Sequence, residues 1–281
     1  MPLLVLQGPQ AAVLACVLGG AGLLIPRFGW HRRWLPVVCA GLREAAVIFG
    51  LFALWQFVGA RALTRVDGAF QRAHSILSLE DKLHFPSELS VQHAVLGHPE
   101  IVKAMNTFYL YVHINSIVIF LVWIFIRHRD RYPWARNTLA ITTGLCLLVQ
   151  MLPVAPPRML TQLGFVDTAN LYGQSIYGPF GSGLADQLSA MPSVHVAWAV
   201  LIAFFVIRVS PSPWRWLVLL DPVLTVLVVV ATANHYWLDG VVAVGILAAV
   251  LPLTASFDRW RRPRPPAEEP AYSTTLGTAR V

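Results

Sequence analysis

The chain has 281 residues, of which 56% are apolar and 12% charged. Soluble domains carry about 25% charged residues, so a disordered chain is excluded and an ordinary soluble enzyme disfavoured. The formal charge of +7 comes from 21 Lys and Arg against 14 Asp and Glu, and the three cysteines (Cys16, Cys39, Cys146) show no metal-ligand spacing and no disulfide framework.

A helix needs about 20 apolar residues to cross a bilayer. In chain order, apolar runs at 1–26, 45–60, 104–126, 137–157, 187–207, 216–234 and 240–257 predict seven spans. The first has no Lys or Arg ahead of it, so it lacks the charged start of a signal peptide and reads as a span. With the N-terminus outside, the inner segments 27–43, 127–136, 208–215 and the tail from 258 hold 15 of the 21 Lys and Arg, and the outer segments hold 6. The positive-inside rule then puts the C-terminus in the cytoplasm. Most cations act as topology signals toward anionic lipid, and a nucleic-acid partner has no support. The tail 258–281 is rich in Arg and Pro and reads as disordered.

Two outer segments are too long to be turns. In 61–103, Leu63, Val66, Phe70, Ala73 and Leu77 recur at steps of three and four, with Arg65, Asp67, Gln71 and Arg72 between them. This predicts an amphipathic helix lying on the outer membrane surface. Pro86 then breaks the chain, and Ser87 can cap a second short helix. The segment 158–191 is rich in Gly (Gly164, Gly173, Gly178, Gly181, Gly183) and aromatics (Phe165, Tyr172, Tyr177, Phe180), the composition of a binding loop.

Ionisable groups at membrane depth are expensive and mark functional sites. Three stretches concentrate them, all at the outer face: Ala155-Pro156-Pro157-Arg158, Ser189-Ala190-Met191-Pro192-Ser193-Val194-His195, and Asn234-His235-Tyr236-Trp237-Leu238-Asp239. Pro192 suits the first turn of a helix, and Ser193 with the free N–H groups around it makes an anion site. His195 is near enough to give or take a proton there. His235 and Asp239 are four apart and expected on one helix face, where a carboxylate fixes the imidazole tautomer. Arg158 offers a planar fork for phosphate oxygens. The set fits phosphoryl transfer through a histidine nucleophile, with no metal and no cofactor.

Other polar groups carry weaker signals. His113, with Tyr109 nearby, can line a headgroup pocket or simply pack, and Asn234 and Tyr236 flank His235 as pocket candidates. His74, His84, His93 and His98 lack ligand spacing and read as exposed. Asp167 and Asp186 can meet sugar hydroxyls or serve turns.

Pro-Ser-Val-His at 192–195 and His-Tyr-Trp-Leu-Asp at 235–239, with Arg158 upstream, resemble the type 2 phosphatidic acid phosphatase superfamily. Ala-Pro-Pro-Arg, Met-Pro-Ser-x-His and Asn-His-Tyr-Trp-Leu-Asp look like its inositol phosphorylceramide synthase-like branch. The resemblance covers roughly 104–251. It implies an all-α, polytopic six-helix core, here with one extra N-terminal span (1–26) ahead of a membrane-embedded phosphotransfer domain (42–257). It also implies that His235 is the nucleophile, Asp239 orients it, His195 protonates the leaving group and activates the acceptor, and Ser193 and Arg158 hold phosphate oxygens.

The sequence departs from the superfamily pattern in two places. Its Lys seven residues before the Arg is Met151 here, and its Ser-Arg pair before the third-motif His is Val228-Val229. A phosphomonoester carries up to about two negative charges and needs those cations most. The expectation is therefore a phosphodiester donor, its phospho-headgroup moved to an alcohol at the outer leaflet of a bacterial plasma membrane. The alternatives are a lipid phosphate phosphatase that borrows Arg72, Lys82 or Lys103, a transporter or scramblase without catalysis, and an inert scaffold. The expected partners are a lipid phosphate or phospholipid and the membrane; the oligomeric state is left open.

Overall fold

The computed structural model describes residues 8–28, 34–62, 67–174 and 188–261. Leu63, Arg65 and Val66 of the amphipathic stripe, the loop residues Tyr177, Gly178, Phe180, Gly181, Gly183 and Asp186, and the tail from 262 lie outside them.

The described chain forms ten α-helices: α1 (Gly8–Leu24), α2 (Leu35–Ala62), α3 (Ala69–Lys82), α4 (Glu88–Leu96), α5 (Pro99–Arg127), α6 (Tyr132–Gln150), α7 (Thr168–Leu171), α8 (Val194–Val209), α9 (Leu220–Ala231) and α10 (Trp237–Arg261). Among the described residues there is no strand, only an isolated parallel bridge between Val154 and Ser189. The protein is an all-α polytopic membrane protein. Five segments are long and apolar enough to cross a bilayer: Gly8–Arg27, Leu35–Leu54, Pro99–Arg127, Pro213–Ala231 and Trp237–Trp260.

The fourth and fifth expected spans come out differently. α6 starts at Tyr132, with Pro133 in its first turn, and ends at Gln150. It stops short of 157 because Pro153, Pro156 and Pro157 cannot continue a helix. α8 has 16 residues, about 24 Å at 1.5 Å per residue, against a hydrocarbon core of about 30 Å. The stretch just before it, expected to be helical, is irregular chain from Leu188 to Ser193. The ends of these two helices are given over to polar construction. α10 in turn runs on to Arg261, so the first residues of the expected disordered tail are helical.

One pair of opposite charges joins two membrane helices. Glu44 of α2 forms an ion pair with Arg136 of α6, and Trp134 Nε1 donates to Thr254 Oγ1 at 3.2 Å, tying α6 to α10. Around these contacts Phe120, Ile124, Leu201, Phe205 and Leu247 close one apolar core.

The helices α3 and α4 also depart from expectation. Ala69, Ala73, Ile76 and Glu80 of α3 are buried, and the apolar members of that face pack on Val154, Ala155, Leu160, Leu188 and Tyr236. Of the described stripe residues, Ala73 and Leu77 meet protein, while Phe70 stays 44% exposed. Arg72 Nε donates to the Pro153 carbonyl at 2.7 Å, and Trp237 Nε1 donates to the Pro86 carbonyl at 2.7 Å. Ser87 caps α4, its Oγ accepting from Ser90 N–H at 3.3 Å. From α4, Gln92 grips Val166 by both backbone groups, at 2.8 and 3.0 Å. Together α3 and α4 clamp the chain that carries Arg158.

Candidate active site

α9 ends in a sharp turn. Ala233 takes the left-handed conformation with φ 54°, which costs a non-glycine residue roughly 1 kcal/mol. The turn lets the Val229 carbonyl accept from both Asn234 N–H and His235 N–H, at 2.9 and 3.1 Å. It also presents the Ala233 carbonyl to the Arg158 N–H at 2.8 Å. The first and third polar stretches are thus locked together through backbone.

His235 and Asp239 do not share a helix face as expected. α10 begins at Trp237, so His235 precedes it and Asp239 sits in its first turn. Asp239 reaches back: its Oδ2 accepts from Tyr236 N–H at 2.9 Å, the reciprocal half of a capping box. The same oxygen lies 3.2 Å from His235 Nδ1. The Ala190 carbonyl lies 2.7 Å from that nitrogen. Both partners can only accept, so Nδ1 carries the proton and Nε2 keeps its lone pair. His235 is 4% exposed and Asp239 fully buried.

The second stretch arrives through α8. Ser193, not Pro192, is at the helix start: its Oγ accepts from Val196 N–H at 3.4 Å. Pro192 lies one residue outside the cap. Ser193 N–H donates to the Asp239 carbonyl at 3.1 Å, joining the second stretch to the third. His195, in the first turn of α8, has its ring centroid 5.7 Å from that of His235. Tyr109 and His113 of α5 close the other side, their ring centroids 4.6 and 4.8 Å from that of His195. His113 is 3% exposed and packs behind His195.

Arg158 is buried at 4% exposure. Its Nη1 donates to Asn234 Oδ1 at 2.7 Å, and Asn234 in turn donates to Thr232 Oγ1 at 2.8 Å. Its Nε lies 3.7 Å from Asp167 Oδ2. A small cavity opens beside Arg158, lined also by Asn106, Tyr109, Gln174 and Asn234. Tyr236 differs from its expected place in a pocket: it is 1% exposed, and its hydroxyl donates to the Ala155 carbonyl at 2.7 Å. It is a structural tie between the first and third stretches.

Sequence reasoning missed an acid on α3. Glu80 is 2% exposed, and its Oε1 accepts from Leu238 N–H, in the first turn of α10, at 2.7 Å. Burial and a hydrogen bond with Glu88 push its carboxyl up to about 9. An acid whose pKa rises on folding keeps its proton in the fold after the unfolded chain has lost it. Stability therefore falls as pH rises from about 4.5 toward about 9. Glu80→Gln keeps an acceptor for Leu238 N–H and does not ionise. The wild type should lose Tm between pH 6 and 9 by roughly 10 °C more than this variant. Parallel melting curves in scanning calorimetry would contradict that.

The structure thus gathers Arg158, Ser193, His195, His235 and Asp239, from distant parts of the chain, at one end of the bundle. Compared with known protein families, the family model described as the PAP2 superfamily matches residues 74–253. The match starts within α3 and ends within α10, so it takes in most of the clamp as well as α5 to α9. No curated protein and no solved structure matches the chain.

Proposed function

Since the chain belongs to the PAP2 superfamily, whose members are phosphatases or phosphotransferases, we propose that it moves a phospho-headgroup from a lipid phosphodiester to an alcohol, through a covalent phosphohistidine on His235. The site would face the extracytoplasmic surface, the side opposite most of the arginines, as in the inositol phosphorylceramide synthase-like branch.

The observation that carries the reading is the Nδ1 of His235, held between the Ala190 carbonyl at 2.7 Å and Asp239 at 3.2 Å. It leaves Nε2 with its lone pair as the attacking atom. In the first step Nε2 bonds to phosphorus, and the P–O bond to the lipid alcohol breaks. His195, protonated at that moment, gives its proton to the leaving oxygen. The positive charge developing on the His235 ring is offset by Asp239. In the second step His195 takes the proton of the incoming alcohol, whose oxygen bonds to phosphorus as the P–N bond breaks. Arg158 and the N–H groups at the start of α8 would hold the non-bridging oxygens. Ser193 Oγ accepts as a cap and keeps its own O–H, which could still donate to a phosphate oxygen.

A phosphodiester fits the charge on hand. Arg158 is the one buried cation among the described residues. Val228 and Val229 are in the core, and Met151 is 47% exposed. The cations that a phosphomonoesterase would borrow are engaged elsewhere or point away. Arg72 holds backbone carbonyls, Lys103 pairs with Glu100 at 2.8 Å, and Lys82 lies on an exposed polar face of α3 with Gln71 and His74.

The test is purified protein given a lipid phosphodiester with and without an alcohol acceptor, and a lipid phosphomonoester without one. The expected result is headgroup transfer that needs the alcohol, with slow phosphate release from the monoester. Fast phosphate release from the monoester without acceptor would overturn the diester reading.

A further inference from the structure

We propose that Asp167 is a specificity-determining residue, its carboxylate setting the phosphate subsite for a singly charged phosphodiester and against a doubly charged phosphomonoester. The inference rests on the reading of Arg158 as the phosphate-binding cation.

Asp167 Oδ2 lies 3.7 Å from Arg158 Nε, on side chains that are 33% and 4% exposed respectively. An anion site built around one buried cation gains nothing from a neighbouring carboxylate if affinity alone is at stake. The carboxylate lowers the local potential, and the loss is larger for the ligand with more charge.

Asp167 is not a loose surface acid. Its Oδ1 accepts from Asn170 N–H at 2.9 Å, capping α7. On one side Val166 is gripped by Gln92 at 2.8 and 3.0 Å. On the other, Thr168 Oγ1 donates to Asn106 Oδ1 at 3.1 Å. The carboxylate is thus fixed from α4 and α5 with one oxygen directed at the cation. The cap does not explain the charge, because Asn or Ser caps a helix as well as Asp does. What Asp adds over either is the negative charge beside Arg158.

A monoanion meets this repulsion once and a dianion twice. Removing the charge should strengthen binding of both, and of the dianion by about tenfold more, for charges several ångströms apart in a partly solvated site. The experiment measures Kd by titration calorimetry in detergent at about pH 8, where a phosphomonoester is a dianion. The two ligands are a short-chain lipid phosphomonoester and its methyl diester. The protein carries His235→Ala so that neither is consumed, alone or with Asp167→Asn, Asp167→Ser or Asp167→Glu.

The expected result is an about tenfold shift of the Kd ratio toward the monoester in the Asn and Ser variants, with the Glu variant close to the parent. Asn and Ser both keep the α7 cap, so a folding defect in one leaves the other to decide. An unmoved ratio in both, or the same shift in the Glu variant, overturns the proposal. If the ratio shifts while the His235→Ala protein still turns the ligands over, the Asp167 assignment stands and the His235 nucleophile falls.

Discussion

Replacing His235 with alanine should lower turnover of the lipid donor by at least about 10⁴-fold, and no change of leaving group should rescue it. The size follows from the role. If Nε2 is the atom that bonds to phosphorus, removing it closes the covalent route, and only weak direct transfer within the positioned site is left. The deletion also strips a hydrogen bond from the Ala190 carbonyl and one from Asp239, both buried, which costs about 1–3 kcal/mol of stability. His235→Gln controls for this, since its amide can still donate toward Ala190 without supplying a nucleophile. Both variants should be inactive, and the Gln variant should melt higher than the Ala variant. Turnover within about tenfold of wild type in either would remove His235 from the chemistry.

His195→Ala should behave differently, and the difference separates the two histidines. With an ordinary alkoxide leaving group the loss should be about 10³-fold, the usual scale of general acid–base catalysis. With a nitrophenyl-type leaving group, which departs without a proton, the first step should recover. The second step still needs a base to take the proton of the acceptor. Rapid kinetics should therefore show a burst of nitrophenolate followed by a slow steady state, with the enzyme held in its covalent form. Equal losses on both substrates, with no burst, would mean that His195 supports the site by packing alone. The ring of His113, 4.8 Å behind that of His195, makes packing the competing explanation.

Much of this arrangement is legible in the residues themselves. Low charge content and apolar runs predict an all-α membrane protein, and they place α1, α5, α9 and α10 to within several residues, while α2 starts ten residues before its expected run. The three polar stretches stand out because Arg, His and Asp are costly near the membrane, so the pattern singles out Arg158, His195, His235 and Asp239 before any fold is known. Helix boundaries near the site were misjudged for one physical reason. Apolar residues continue through 151–157 and 188–193, but prolines and backbone pairing across the Val154–Ser189 bridge hold those stretches irregular. Hydropathy does not register this.

The polar scaffolding is the part that sequence leaves hidden. The Ala190 carbonyl on His235 is a backbone contact and has no side-chain signature. Asn234 on Arg158 and Asp167 beside it are pairings across 76 residues and nine residues of irregular chain, with no periodicity to announce them. The amphipathic helix was read as membrane-bound because a stripe shows only that something apolar lies opposite. For Ala73 and Leu77 that is the core around Tyr236, while Phe70 stays exposed. One residue carried a usable signal: Glu80 falls on the same face as Ala69, Ala73 and Ile76, and an acid on an apolar face predicts a buried partner.

The covalent adduct on His235 is the most direct point of attack. Purified protein is mixed with a lipid donor labelled in its phosphate, quenched within one turnover in the absence of acceptor, and digested for mass spectrometry. The account predicts label on the peptide containing His235, lost in acid, kept in base, and chased into product when alcohol is added before the quench. Label elsewhere, label that persists in His235→Ala, or full turnover with no labelled peptide at all would contradict it.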